Sequence, residues 1–333
     1  MSRDMVVLPD MNDFWLDKRV FITGANGFLG SHLTKTLIEK GVKPFVLVYE
    51  KNPGSIFDQE KLAEKTTVIN GDIRDFGLMA RTIKENRIDT IFHLAAQAVV
   101  DQAIDNPMET LEINARGTWN VLEAARQSGA TKRVIAASSD KAYGDSNDLP
   151  YKEHTHGLNG WYPYEVSKVC TDLVSQSYWR TFRLPVSITR ATNLYGPGDL
   201  KLNRIVPQTI QKLFHNEQPV IRNSTETLRD YLFVEDAVAG YLAIAEKMDT
   251  DMFGHAFNIA TNQPTSVYDA IKIISAQMHK NIEPRIIKTH GMEINHQYAS
   301  YEKIKERTGW TPLHTFPEGI AKTIPWYLNH FSP

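Results

Sequence analysis

The stretch from Lys18 to Glu39 restricts the fold more than any other in this 333-residue chain. Lys18 to Thr23 (KRVFIT) is a short, apolar, β-branched run, which predicts a buried strand. It leads through Gly24-Ala25-Asn26-Gly27-Phe28-Leu29-Gly30 into SHLTKTLIEKG. There Leu29, Leu33 and Leu37 recur every four residues, Ile38 widens the stripe and Gly41 is placed to end the helix. Strand, glycine turn and helix in succession form the opening unit of a parallel α/β sheet. Glycines let backbone approach a pyrophosphate closely, and a helix N-terminus meets it with positive charge. Gly24, Asn26, Gly27, Phe28, Leu29 and Gly30 are therefore the first candidate ligand-binding residues.

The same alternation continues. Strands are predicted at Pro44 to Tyr49 (PFVLVY), Thr66 to Asn70 (TTVIN), Asp89 to Leu94 (DTIFHL), Arg133 to Ala137 (RVIAA) and Val186 to Arg190 (VSITR). Helical stretches are predicted at 108–128 and 164–183. This is the pattern of an α/β protein with a doubly wound parallel sheet, and ligands bind such sheets at the carboxyl ends of the strands. Glu50 lies 20 positions beyond Gly30, where an acidic side chain holds ribose hydroxyls and repels a 2′-phosphate, favouring NAD over NADP. Asp72 and Ile73 end the third strand and are expected to flank the adenine. After the fourth strand, Leu94, Ala95 and Ala96 are expected to let the cofactor approach the backbone. His93, inside an apolar run, reads as a core histidine, and Asn114 as a polar residue bonded to nearby backbone.

The fifth strand delivers Ser138-Ser139-Asp140-Lys141-Ala142-Tyr143-Gly144, and the next helix opens with Tyr164-Glu165-Val166-Ser167-Lys168. A Tyr and a Lys four apart share one helix face, so phenol and ammonium can act on one substrate atom. Ser139 at a strand end completes an acid/base triad with Tyr164 and Lys168. Asp140-Lys141 points to a second proton transfer, and the motif must turn at Asp140 for both side chains to reach one crevice, because consecutive strand residues face opposite ways.

Beyond the sixth strand the alternation changes. Asn193 to Asp199 (NLYGPGD) reads as loop, Ile205 to Phe214 as helix, Pro219 to Asn223 and Arg229 to Val234 as short strands. Asp236 to Lys247 reads as helix, Ala256 to Ala260 as strand, and Ser266 to Met278 and Pro317 to Phe331 as helices. The division expected is 14–193 plus 235–260 for the cofactor domain and 194–234 plus 261–333 for an interleaved C-terminal α/β lobe. Residues 1–14 read as a loosely held arm. Asn193, Arg204 and Arg229 are candidates for holding a nucleotide diphosphate, since a guanidinium meets phosphate bidentately.

Bulk properties exclude other classes. The formal net charge of −2 gives no basic excess for nucleic acid. No apolar run approaches the ~18 residues of a membrane span. The N-terminus lacks a signal peptide's apolar core, and Cys170 is the single cysteine, so a reducing, cytoplasmic setting is expected. No metal site is expected.

With TGANGFLG, GDIRD, HLAAQ, YEVSK and RATNLYGPGD in this order, the chain resembles the extended short-chain dehydrogenase/reductase family from about Phe14 to Trp326. Its nearest subgroup is the nucleotide-sugar 4,6-dehydratases. Ser-Asp-Lys with a Tyr two residues on, Phe14-Trp15 and Gly160-Trp161-Tyr162-Pro163-Tyr164 are similar to the CDP-glucose 4,6-dehydratases. Ala142-Tyr143-Gly144 and NLYGPGD follow the general epimerase/dehydratase pattern, which leaves the nucleotide open. The resemblance implies a Rossmann fold with a smaller substrate lobe, bound NAD, a nucleotide-sugar substrate and a homodimer. It implies that Tyr164 deprotonates the C-4 hydroxyl, with Ser139 and Lys168 assisting, and that Asp140 is the acid and Lys141 the base of water loss. Gln97 is a candidate for the sugar site, and Tyr143 is expected either to line that site or to pack. Two other readings stay open: a 4-epimerase, which needs only Ser139, Tyr164, Lys168 and NAD, and an NAD-sensing regulator.

Overall fold

A computed structural model describes residues 13–288 and 294–332. Six strands of the first two-thirds, with one from later in the chain, build a seven-stranded parallel sheet. They are β1 (Val20–Thr23), β2 (Phe45–Val48), β3 (Thr67–Asn70), β4 (Thr90–His93), β5 (Arg133–Ala137), β6 (Val186–Ala191) and β10 (Ala256–Ile259). Their order is β10-β6-β5-β4-β1-β2-β3, so the chain starts in mid-sheet and winds outward in both directions.

The two-residue strand period divides the core in two. Val20, Ile22, Val46, Val48, Phe92 and Ile135 face one side, where Leu33 and Leu37 of helix Phe28–Glu39 and Val238, Tyr241 and Leu242 of helix Val234–Lys247 cover them. Phe21, Leu47, Ile91, Val134 and Ala136 face the other, under Met79 and Ile83 of helix Phe76–Glu85 and Val121, Leu122 and Ala125 of helix Gly117–Ser128. Burial on both faces explains why β1, β2 and β5 are nearly all apolar, while β3, at the sheet edge, is largely exposed.

A second sheet forms around β9 (Leu228–Phe233), which pairs with β7 (Asn193–Tyr195) and β13 (His296–Gln297) in parallel and β11 (Pro264–Ser266) antiparallel. β8 (Val220–Arg222) and β12 (Arg285–Ile287) form a separate parallel pair. Tyr195, Ile210, Tyr231, Phe233, Ile274, Phe316 and Ile320 make a third apolar core here. Among the described residues no helix is long and apolar enough to cross a membrane.

Three expectations are corrected. Asn193–Tyr195 is a strand rather than loop, because it lies beside β9, where its backbone groups find ladder partners. The helix expected over 108–128 is Pro107–Leu111 and Gly117–Ser128, joined by a wider π-type turn at Glu112–Arg116. Of the arm expected at 1–14, residues 1–12 lie outside the described residues. Asp13–Leu16 is a helical turn whose Trp15 is fully buried and donates its indole N–H to Glu246.

Candidate active site

The glycine turn fits a dinucleotide phosphate by shape. Gly24 has φ +71°, and a Cβ there would lie 2.8 Å from the backbone of Ala95; one on Gly30 would lie 2.0 Å from the Gly24 carbonyl oxygen. Backbone thus passes where any side chain would block it. Helix Phe28–Glu39 starts at Gly27 with neither a side-chain cap nor an acidic residue in its first turn, so its N–H groups and dipole are left for an anion. Asn26 donates to the Glu50 carbonyl at 2.6 Å and Asn52 donates to the Asn26 carbonyl at 2.8 Å, tying the turn to the end of β2. Thr23 Oγ1 accepts from the N–H groups of Leu94 and Ala95, both at 3.2 Å, which holds the loop after β4 against the turn.

The exposed Glu50 stands at the expected end of β2. Of the two residues expected to flank the adenine, Asp72 is paired with Arg74 and half-exposed. Ile73 is 5% exposed and its side chain packs in the core, where a Cβ on Gly117 would meet it at 2.3 Å. His93 is buried as expected, its ring nitrogens meeting Thr23 Oγ1 at 2.8 Å and Thr118 Oγ1 at 3.1 Å. Burial pushes its pKa down to about 3, so the ring is neutral.

At the end of β5 the chain turns as the chemistry requires. Ser139 is extended and caps a 3₁₀ turn, Asp140–Tyr143, by accepting from the Lys141 N–H at 3.2 Å. The same hydroxyl donates to Asp140 Oδ1 at 3.0 Å. Asp140 is 3% exposed and its Oδ2 is buried without a hydrogen-bond partner. Burial raises its pKa to about 6, with Lys141 and the Ser139 hydroxyl opposing the rise. Lys141 donates from Nζ to Gln297 Oε1 on β13 at 2.8 Å.

Helix Pro163–Phe182 places Tyr164 and Lys168 beside this turn. Burial raises the Tyr164 phenol to about 12; Arg204 and a hydrogen bond to Ser139 work against that, and Asp140 adds to it. Lys168 Nζ donates to the Ala137 carbonyl at 2.8 Å and stands 5.9 Å from the centre of the Tyr164 ring. Burial lowers its pKa to about 8, with the Asp172 carboxylate opposing. Ser139, Asp140, Tyr164, Lys168 and Arg204 are thus brought together. Arg204 reaches this cluster from the start of helix Ile205–Phe214, steadied by Asp199 at 3.2 Å.

Other expected substrate residues are placed differently. Tyr143 is 1% exposed; its hydroxyl donates to Asn258 at 2.7 Å and its ring stacks on Tyr151 with centres 4.6 Å apart. Gln97 is 7% exposed and spends its amide on its own loop, donating to the Val99 carbonyl at 2.9 Å and accepting from the Val99 N–H. The amide also donates to Thr110 Oγ1 at 3.3 Å. Asn193 donates to the Asp230 carbonyl at 3.3 Å. The buried Arg229 donates to the carbonyls of Leu228 and Asn295 at 2.9 and 3.0 Å, and its charge reaches Asp140.

Two further groups support the site, and Asn114, expected to bond nearby backbone, bonds backbone 17 positions away. Asn114, in the wide turn, accepts from the Gln97 N–H at 2.8 Å and donates to Gln97 O and Ser167 Oγ at 2.9 Å, clamping the loop after β4 to the Tyr164 helix. Asp172 and Arg190 form a buried ion pair at 2.7 Å, and the Ser138 hydroxyl also donates to Asp172. Among the described residues no group of three or more His, Cys, Asp and Glu could hold a metal ion.

A family model described as GDP-mannose 4,6 dehydratase matches residues 21–323, nearly the whole chain. The chain belongs to that family. The CDP-glucose 4,6-dehydratase of Salmonella typhimurium is 28% identical, covering 95% of this chain and 92% of the relative. Among solved structures, DesIV, the dTDP-glucose 4,6-dehydratase of Streptomyces venezuelae with NAD bound, superposes with a TM-score of 0.84 at 26% identity, over 93% of this chain and 97% of that one. The UDP-glucose 4-epimerase of Thermotoga maritima with UDP-glucose superposes with a TM-score of 0.87 at 27% identity, over 94% and 100%. The proteins this chain is similar to thus include nucleotide-sugar 4,6-dehydratases and a 4-epimerase, and the two solved structures share its fold.

Proposed function

We propose that this chain is an NAD-dependent nucleotide-sugar 4,6-dehydratase that forms a 4-keto-6-deoxy sugar nucleotide. The observation that carries the proposal is the buried turn at Asp140-Lys141, set against Ser139 and Tyr164, with the Asp140 pKa at about 6. Epimerisation at C-4 has no use for a second acid and base; dehydration needs both. Gly24, Asn26, Gly27, Phe28, Leu29 and Gly30 would hold the pyrophosphate, Glu50 the adenosine ribose, and Leu94, Ala95, Ala96 and Lys168 the nicotinamide half. NAD held there would supply the hydride acceptor for C-4 and the hydride donor for C-6.

Tyr164 takes the C-4 hydroxyl proton as hydride leaves that carbon, and the Ser139 hydroxyl steadies the same oxygen. The cationic Arg204 and Lys168 favour the phenolate that this step requires. The C-4 ketone acidifies the C-5 hydrogen, which passes as a proton to Lys141. Asp140 gives its proton to the C-6 hydroxyl, which departs as water while the C-5–C-6 double bond forms. Hydride then adds to C-6 and a proton to C-5, so the net change is loss of one water. A general acid with pKa near 6 is suited to neutral pH, as it holds its proton in a useful fraction of molecules and releases it readily.

Segments 194–234 and 261–333 would hold the nucleotide, with Asn193, Arg204 and Arg229 nearest the diphosphate. The exposed Leu173 and Phe182 of helix Pro163–Phe182, together with Trp119 and Met108, offer an apolar face for a homodimer. The single cysteine, Cys170, fits work in the cytoplasm. Incubation with CDP-glucose, dTDP-glucose and UDP-glucose tests the activity by mass: a product lighter by one water supports it, and an unchanged mass with inverted C-4 selects the second reading, a 4-epimerase, which the likeness to the Thermotoga maritima enzyme favours.

A further inference from the structure

We propose that Gln297 is a positioning residue for Lys141, an assignment that rests on the dehydratase reading above. Gln297 lies on β13, opposite Arg229 of β9, and is 0% exposed. Its Oε1 accepts from Lys141 Nζ at 2.8 Å, a contact between residues 156 positions apart that joins the second sheet to the turn after β5. Its Nε2 is buried and meets no acceptor among the described residues. A buried amide with an unmet N–H is costly, and a methionine of similar length would fill the space without it. The bond to Lys141 is what the amide achieves in return.

That bond suits a base. A lysine side chain has four flexible carbons, and proton abstraction from C-5 requires its nitrogen at one place. An amide carbonyl accepts a hydrogen bond from an ammonium and from an amine alike, so Gln297 holds Nζ in both states the base passes through. A carboxylate at 297 would instead favour the ammonium. The charged groups around the turn are Asp140 beside Lys141, and Asp230 and Arg229 on β9. Gln297 acts on Lys141 alone and leaves Tyr164, Ser139 and Lys168 untouched, so its removal separates two half-reactions that the intact site runs together.

The test uses the full chain with bound NAD and whichever of CDP-glucose, dTDP-glucose or UDP-glucose the wild type converts. Gln297→Met is expected to slow C-5 deuterium exchange and water loss by roughly ten- to a hundred-fold, the cost of misplacing a reacting group. Reduction of the bound NAD by substrate and KM are expected to stay within about two-fold, which also shows that the variant is folded. Gln297→Glu, which keeps an acceptor, is expected to lose exchange as well, because it holds Lys141 charged. Wild-type exchange in Gln297→Met overturns the assignment, as does an equal loss of NAD reduction and exchange. If the wild type itself inverts C-4 without losing water, the dehydratase reading fails, and with it this role for Gln297.

Discussion

Replacing Asp140 by Asn should remove a pH-dependent part of the protein's stability together with its dehydration step. The Asp140 carboxyl is raised from its usual 3.8 to about 6 by burial, and its Oδ2 has no partner. At about 1.4 kcal/mol for each tenfold step in acidity, keeping Asp140 ionised in the folded protein costs about 3 kcal/mol. The sign follows from proton linkage. Below about pH 4 the group is protonated whether folded or unfolded and imposes no penalty; the penalty grows as pH rises and is complete above about pH 6. Asn has the same shape, keeps an acceptor for the Ser139 hydroxyl and carries no charge. The amide also puts a polar group where Oδ2 has no partner, which costs about 1–3 kcal/mol. Asp140→Asn is therefore expected to lie within about 2 kcal/mol of wild type at neutral pH, and its stability relative to wild type to be lower by about 1 kcal/mol at pH 5 than at pH 8. Urea unfolding of wild type and variant, both with NAD bound, at several pH values measures this. In the same samples water loss should fall by roughly 10²–10⁴ while reduction of bound NAD continues. A stability difference between variant and wild type that does not change with pH would refute the claim that Asp140 is held in a raised-pKa, desolvated site.

Other outcomes follow from the same geometry. Lys141→Met should cut C-5 deuterium exchange by roughly 10²–10⁴ and leave reduction of bound NAD in place, read by mass spectrometry and NADH absorbance. Gly24→Ala adds a Cβ at φ +71° against the Ala95 backbone 2.8 Å away, so it should cost roughly 1–3 kcal/mol and lower the NAD content of the purified protein. Arg190→Met leaves Asp172 buried and without its guanidinium partner at 2.7 Å, and should lower unfolding stability by about 3–5 kcal/mol.

The parallel sheet could be read from the chain because its determinants are local. Each strand is a short apolar run, each covering helix an apolar stripe, and β1 flows into a glycine turn whose spacing leaves few alternatives. Tyr164 and Lys168 could be read for the same reason: four positions on one helix share a face wherever that helix lies. Ser139 and Asp140 follow from the strand end and the turn that the motif demands.

What tertiary structure decided is what depends on distant partners. β7, β11, β12 and β13 have three residues or fewer, too short to show a period, and exist because partners offer hydrogen bonds. Tyr143 faces Asn258 and Tyr151 rather than the crevice, a direction set by the turn and by a strand 115 positions on. The amide of Gln97 is taken up by its own loop, while Asn114 holds that loop's backbone from a turn that helical spacing alone does not reveal. The partner of Lys141 comes from β13, and no pattern near either residue announces that they meet. Hydrophobic period and turn chemistry act over a few residues and survive in the sequence as pattern. Which polar groups pair inside a core depends on how the completed sheets dock, and that is settled only when the chain has folded.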